Sequence, residues 1–480
     1  MILRSAKKWA KTTAGDDRIS KLPDEIITHI LSFLPTKDVV QTCILSKRWK
    51  HIWYSVPTLF FSENATTCDI EKFYEFVDNC LKHRKQYMIE SSIFTFKLNL
   101  NGYRISYFED GYHTTRKNHF VDKWLAFVVE NNVKEFDLSM LEHVGPYKRF
   151  YGLSKILDNA KYLTILKLSG VVLDASSCSF SFPSLKTLSL VDVLQSNASK
   201  DDVVVKFLLG CPSLENLCVC DYDFSSVDYQ PRLQSLSLKF LEFKDIEIMS
   251  ALRVETVNLE SFEFEDIRVN LDKIDLSACK KIRNLTLSGM IYAFPSKKFE
   301  LLISNIPLLE NLTLSFQTYT EFTKGLRISS QHLKCFKFKS SNIGIMKGVT
   351  IESAPKLEYF CYEGYINFNI SLESSNSLNG KIVILETEKN YDAKWFTNMR
   401  NFLMNLNCSW NIVTLHVRKC EALMWPENLK NICPYPLLNW KKLRVITDRK
   451  PKPKRESDFK DALMNLPCLE TLSINGKKIF

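Results

Sequence analysis

Two patterns of apolar positions divide the chain. Residues 22–53, LPDEIITHILSFLPTKDVVQTCILSKRWKHIW, carry apolar side chains at helical spacing. Pro23 suits the start of a helix, with Asp24 and Glu25 placed to meet its positive end. Ile26, Ile27, Ile30, Leu31 and Leu34 then follow the period of one helical face. Pro35 stops that helix. Thr36 is expected to cap a second one bearing Val39, Val40, Cys43 and Ile44, and Ser46 a third, with Trp49 and Trp53 one turn apart. Three short helices cannot bury all these groups among themselves. Leu22, Ile30, Leu31, Leu34, Val39, Trp49 and Trp53 are apolar surface in excess. Full burial of each is worth ~1.5–3 kcal/mol, so this face docks, either on the rest of the chain or on a partner. The pattern alone leaves both open.

The second pattern is L-x-x-L-x-L. It runs as LTILKL from Leu163, LKTLSL from Leu185, LENLCV from Leu214, LQSLSL from Leu233 and VETVNL from Val254. It continues as IRNLTL from Ile282, LENLTL from Leu309, LKCFKF from Leu333 and LEYFCY from Leu357, with later copies from Ile412, Leu443 and Leu469 and an early VKEFDL from Val133. Spacings from Leu163 to Leu357 are 22, 29, 19, 21, 28, 27, 24 and 24 residues, the period of leucine-rich repeats. The alternation is that of a half-buried strand, and Pro-containing turns (FPSL, CPSL, IPLL, APKL) precede many copies. Stacked units predict an irregular solenoid: a curved parallel sheet with helices or irregular segments on its convex side. The Asn expected after each strand is mostly absent, so no regular asparagine ladder is expected. Residues 364–410 show no clean copy. Between the two patterns, 70–81 and 121–132 read as helices, 92–100 and VKEFDLSM as strands, and the polar stretch 101–119 as a loop.

Composition narrows the classes. Apolar residues make up 45% and charged residues 25% of the 480 positions, as in folded globular chains. No apolar run approaches the ~18 residues of a membrane span, and MILRSAKKWAKTTAGDD lacks the apolar core of a secretory leader. The 14 cysteines are scattered without a CxxC pair, and most lie beside apolar residues, so they read as small reduced hydrophobes. The sequons at Asn284 and Asn311 then follow from the repeat itself. A net charge of +10 over this length is a basic solvated surface; neither nucleic acid nor membrane is an expected partner.

The segment DRISKLPDEIITHILSFLPTKDVVQTCILSKRWKHIW resembles an F-box. LPDEI, ILSFLPTKD and LSKRW fall in order as in the large plant F-box/leucine-rich-repeat family. That resemblance implies an F-box over 17–60 after a flexible arm, 1–16. A helix/strand linker with the first long repeats, 61–160, and an irregular repeat array, 161–480, would follow. The fold class is α/β: three short F-box helices, then the solenoid. The resemblance also implies a substrate-recognition subunit of an SCF-type ubiquitin ligase. Its partners would be a Skp-type adaptor, the cullin-RING core and an unknown target protein, and its place the nucleus and/or cytoplasm. Carried onto this sequence, Leu22, Pro23, Ile26, Ile30, Leu31, Leu34, Val39, Leu45, Trp49 and Trp53 are the candidate adaptor contacts. The alternative is an F-box/leucine-rich-repeat scaffold or adaptor-binding protein acting outside a ligase. The C-terminal FBD module that members often carry has no clear counterpart here.

No P-loop, HExxH, GxSxG or EF-hand pattern is present, so neither enzyme activity, metal nor cofactor is expected. His29 reads as a helix-surface residue. DRKPKPKRES, 448–457, reads as an extended loop rather than a nuclear signal. Strand positions between the buried leucines should face a target. Thr187, Ser189, Asn216, Cys218, Ser235, Ser237, Thr256, Asn258, Asn284, Thr286, Asn311 and Thr313 are small and uncharged. Lys337, Lys339, Tyr359, Glu363, His416 and Arg418 are larger or charged, and so are the candidate target contacts.

Overall fold

The computed structural model describes residues 19–479 except 64–69, 88–92, 102, 105–110, 145–146, 197–201, 225–229, 249–250, 271–272, 294–295, 319–324, 341–347, 373–376, 387–390, 407, 426–439, 450–458, 460–462 and 464–468. The N-terminal arm and most of the basic cluster 448–457 lie outside the described residues. Two compact units form, Met1–Ser213 and Leu214–Phe480.

The first unit opens with α1 (Asp24–Leu31), α2 (Thr36–Gln41) and α3 (Lys47–Ser55). Ser46 caps α3 as expected, its Oγ accepting from Trp49 N at 3.4 Å. Thr36 does not cap α2; Pro35 occupies that position without a side-chain bond. The Thr36 hydroxyl is buried and accepts instead from Phe60 N at 2.7 Å. Phe60 lies on the first strand of the sheet, so α2 covers an edge that would otherwise offer an open N–H. That sheet is parallel, β1 (Thr58–Ser62), β2 (Thr95–Asn99), β3 (Glu135–Ser139), β4 (Ile165–Ser169) and β5 (Thr187–Val191), each paired in register with the next. Long helices α4 (Ile70–Tyr87) and α5 (Gly111–Glu130) alternate with the first strands. The polar stretch expected as a loop therefore contains the first turns of α5. Once the apolar half of a helix is nucleated, its extension through GYHTTRKNH costs little and leaves no apolar period to detect. Tyr74, Phe120 and Trp124 pack between α4 and α5. Phe61, Phe96 and Phe136 line the inner face of the sheet.

Arg84, fully buried on α4, joins the helical segment to this core. It donates to Trp53 O at 2.7 Å and Val56 O at 2.8 Å, and its guanidinium lies 5.2 Å from the centroid of the Trp53 ring. It adds a donor to the Trp53 carbonyl, which already accepts from the C-cap Val56 N–H at 3.3 Å, and supplies one to the Val56 carbonyl just past the helix. Burial pulls its pKa down to about 10.

In the second unit a parallel sheet runs β6 (Asn216–Cys220), β7 (Phe240–Lys244), β8 (Ser261–Asn270), β9 (Asn284–Ala293), β10 (Asn311–Thr318), β11 (Cys335–Ser340), β12 (Tyr359–Gly364), β13 (Leu378–Ile384), β14 (Trp410–Val417), β15 (Trp440–Thr447) and β16 (Thr471–Ile474). The segment without a clean repeat thus contributes β13. Its outer side carries helices Ser296–Ser304 and Ala393–Asn405 and two short parallel ladders, Arg232–Ser235/Leu252–Thr256/Ile274–Asp275 and Leu326–Ser329/Gly348–Ser353/Asn369–Leu372.

The copies from Leu233 and Val254 belong to that outer ladder, not to the main sheet. The main-sheet strands there are FLEFK and SFEFED, with Phe in place of Leu. Ser235, Ser237, Thr256 and Asn258 are accordingly not on the open face. Ser237 bonds Leu214 O at 2.8 Å, Thr256 is buried against Cys279, and Asn258 bonds Leu236 O at 2.7 Å. Both ladders are half-buried, so both alternate, and the period alone cannot separate them.

At the sixth residue from each strand start, several repeats turn through the left-handed region. These are Gly170 and Asp192 in the first unit and Asp221, Asp245, Asp266 and Gly289 in the second, with φ from 49° to 127°. Gly and Asp reach it at low cost, and the backbone N–H groups of Gly170, Asp221 and Asp245 there donate to the neighbouring strand's carbonyls Val191 O, Lys244 O and Glu265 O. The residue before each of β6 to β12 forms another series, alternating in charge: Glu215, Lys239, Glu260, Arg283, Glu310, Lys334 and Glu358. Lys239 meets Glu215 and Lys334 meets Glu310, both at 2.8 Å, and Arg283 also pairs with Glu310.

Candidate protein-interaction faces

The helical segment of the first unit sorts its apolar residues into two sets. Ile27, Leu31, Val39, Trp49, Ile52 and Trp53 are buried. Ile26, Ile30, Phe33, Leu34, Ile44 and Leu45 are exposed, Phe33 by 75%, Ile44 by 88% and Leu45 by 62%. On α1 and the turn that follows it the split follows helical geometry: Ile26, Ile30 and Phe33 fall at i, i+4 and i+7, and Ile27 and Leu31 beside them on the inward side. Ile44 leaves the buried stripe because Thr42–Ile44 tightens to a 3₁₀ turn, whose three residues per turn rotate it outward. Arg48 holds the assembly from the side, bonding Asp24 Oδ1 at 2.8 Å and the carbonyls of Leu22 and Ser20.

Of the ten candidate adaptor contacts, Pro23, Ile26, Ile30, Leu34 and Leu45 are exposed and Leu22 is half-buried. Leu31, Val39, Trp49 and Trp53 are core residues of this unit. Phe33 and Ile44 add to the exposed set. Phe33 was legible as the next member of the Ile26–Ile30 face; Ile44 was not, because the 3₁₀ turn leaves no mark in the pattern.

The second face is the open side of β6 to β16. Lys337 and Lys339 are exposed on β11, and Tyr359 and Glu363 half-buried on β12. Lys339 and Glu363 are register partners and form an ion pair at 2.8 Å. His416 bonds Asp448 at 2.7 Å. Arg418 lies one residue past β14, where its backbone N–H donates to Glu386 at 2.7 Å. Register brings Lys337 beside Cys361, not beside Tyr359 or Glu363. Lys381 and Arg444 share that row, and Glu242 and Glu263 stand in it at the other end. The interrupted pattern at 364–410 hid Lys381. The sequon residues meet each other, Asn311 Nδ2 donating to Asn284 Oδ1 at 2.7 Å.

Burial pushes the thiols of Cys80 and Cys218 up to about 12 and those of Cys211 and Cys408 up to about 11, far from the thiolate a nucleophile needs. Among the described residues no group of three His, Cys, Asp or Glu side chains could hold a metal ion, and no helix is long and apolar enough to cross a membrane.

Comparison with known proteins agrees with this geometry. The F-box domain model matches residues 19–61, and the model described as FBD-associated F-box protein At5g56370, LRR repeats, matches residues 121–285. The F-box/FBD/LRR-repeat protein At5g56420 of Arabidopsis thaliana is 35% identical over 226 residues, covering 46% of this chain and 49% of that protein. The chain thus spans about half the length of that relative. The F-box protein At4g09920 of the same plant is 30% identical over 332 residues, 68% of this chain and 96% of that protein. The FBD-associated F-box protein At4g10400 is 30% identical over 345 residues, 68% and 76% of the two chains. F-box and leucine-rich-repeat modules are protein-interaction modules, and proteins built from them are generally non-catalytic adaptors. With its three-helix N-terminal segment, its strand-rich repeats and these relatives, the chain belongs to the plant F-box/leucine-rich-repeat family of the FBD-associated kind.

Proposed function

We propose that this chain is a substrate-recognition subunit of an SCF-type ubiquitin ligase. The observation that carries the reading is the exposed apolar set Ile26, Ile30, Phe33, Leu34, Ile44 and Leu45, concentrated in one short helical segment. So much large apolar surface within so few residues marks a docking face. A Skp-type adaptor covers it, and through the adaptor the cullin-RING core. The open face of the repeat sheet holds the target protein. The chain supplies no reacting group; it raises the effective concentration of target lysines beside a conjugating enzyme. Its place of work is the nucleus and/or the cytoplasm.

The test is capture of adaptor and cullin by the wild-type chain beside an Ile44→Asp/Leu45→Asp variant. Both residues are exposed, so the fold should survive and adaptor capture should fall at least tenfold. Unchanged capture by the variant would sink the adaptor role of this face. Adaptor without cullin would move the chain to the reading in which it acts outside a ligase.

A further inference from the structure

One row of the open face, from β11 to β15, consists of Lys337, Cys361, Lys381, Thr414 and Arg444, each the register partner of the next. Cations alternate with short uncharged side chains. Lys337 and Arg444 are exposed and Lys381 half-buried. Among the described residues none of the three forms an ion pair, whereas neighbouring Lys339 is held by Glu363. Three cations aligned across five strands, with no ion pair among the described residues, suit an anionic ligand, and their spacing narrows its shape.

Adjacent strands lie ~4.8 Å apart, so cations on every second strand repeat at ~9.6 Å. A β-strand ligand presents same-face side chains every ~6.6 Å, and a helix at ~5–6 Å and again, two turns on, at ~10.5 Å. A polyproline II segment has three residues per turn and a rise of ~3.1 Å per residue, so its same-face side chains repeat at ~9.3 Å. We propose that Lys337, Lys381 and Arg444 receive a polyproline II segment of the target protein whose acidic side chains stand three residues apart. Tyr359 and Ile412 in the row before, and Ile446 in the row after, supply apolar contacts for the residues between the acids. A concavity of ≈ 530 Å³ lined by Ile412, Lys442, Arg444, Ile446 and Thr471, among others, lies at the Arg444 end of the row. Glu242 and Glu263 stand at the far end of the same row, beyond Thr286 and Thr313, so the basic stretch of the row runs from β11 to β15. The proposal rests on the reading of the repeat sheet as the target-binding part of a receptor.

Fluorescence anisotropy of the full chain with a labelled Glu-Pro-Pro-Glu-Pro-Pro-Glu peptide tests it. The comparison is an isomer with the three Glu at alternate positions. The first peptide should bind more tightly, and less so at high salt. Lys337→Ala, Lys381→Ala and Arg444→Ala should each weaken it about two- to fivefold, the range of exposed ion pairs. Lys356→Ala, which removes an exposed charge off the row, should not. Equal binding of the isomer, no binding of either peptide, equal loss in Lys356→Ala, or displacement by a lower concentration of a twelve-nucleotide oligothymidylate would each overturn the proposal. Adaptor capture is read on the same samples. In the wild-type chain, peptide binding without adaptor capture refutes the receptor reading and leaves the acidic-segment site standing; adaptor capture without peptide binding does the reverse.

Discussion

Arg84→Met is the most informative single change to the joint between the helical segment and the sheet. Methionine keeps much of the volume and flexibility but removes all five donors. Two charge-assisted hydrogen bonds disappear, to Trp53 O and Val56 O, each worth ~1.5–3 kcal/mol. The Val56 carbonyl loses this donor, the Trp53 carbonyl keeps only the 3.3 Å bond from Val56 N, and the stacking on the Trp53 ring is lost. Against this, the variant no longer buries a charge, the strain of which shows in the lowered pKa. The balance is a loss of about 3 kcal/mol, at the lower end of what breaking a buried charged contact costs. Arg84→Lys should fall between, because one ammonium cannot reach both carbonyls with the fork geometry of a guanidinium. A chain of this size need not unfold in one step, so the measurement is local: hydrogen exchange of amides in α3 and β1. Protection there should drop by about two orders of magnitude, the exchange equivalent of that loss, with the repeats of the second unit unaffected. Unchanged protection in Arg84→Met would refute the role given to this side chain.

Four further outcomes follow from the same geometry. Trp49→Ala should lower stability by about 3–5 kcal/mol as a large-to-small core change, whereas Phe33→Ala should stay within ~0.5 kcal/mol as a surface one; thermal melts of the two separate core from face. Gly170→Ala should cost at least ~1–2 kcal/mol from the left-handed φ alone, and more because a Cβ would lie 2.4 Å from Leu141 N; a melting temperature within a degree of wild type would count against it. Thr36→Val keeps the shape but removes the acceptor for Phe60 N, and should cost about 1–2 kcal/mol by denaturant titration. At Asp78, burial raises the carboxyl, but Lys123 at 2.6 Å and Lys82 at 3.4 Å outweigh it and the net pKa is lowered. Its stabilising contribution is present above the ordinary carboxylate range and lost as pH falls through the lowered pKa; Asp78→Asn should flatten that acid limb of a stability–pH curve.

Much of this was legible in the residues. The F-box segment declares itself through two prolines, a cap at Ser46 and two tryptophans one turn apart. The strands from Leu185, Leu214, Ile282, Leu309, Leu333 and Leu357 were found because one buried face forces alternation. What escaped has particular causes. The outer ladder at Leu233 and Leu252 is half-buried too, so it imitates a main-sheet strand. FLEFK and SFEFED escaped because the pattern sought leucine and the core accepts Phe243 and Phe264 equally well. The division of the F-box apolar residues into core and face depends on helix phase and on a 3₁₀ turn, which spacing alone does not encode. The row Lys337–Lys381–Arg444 exists only in the register between strands far apart in sequence.

The alternating series Glu215, Lys239, Glu260, Arg283, Glu310, Lys334 and Glu358 has a consequence for how such an array changes length. Removing any single repeat between its ends brings two like charges into adjacent positions. Removing two consecutive repeats restores opposite neighbours. Parity is therefore built into this part of the solenoid: it can shrink or grow by pairs without electrostatic conflict, whereas a change by one unit requires a compensating charge reversal along the remaining series.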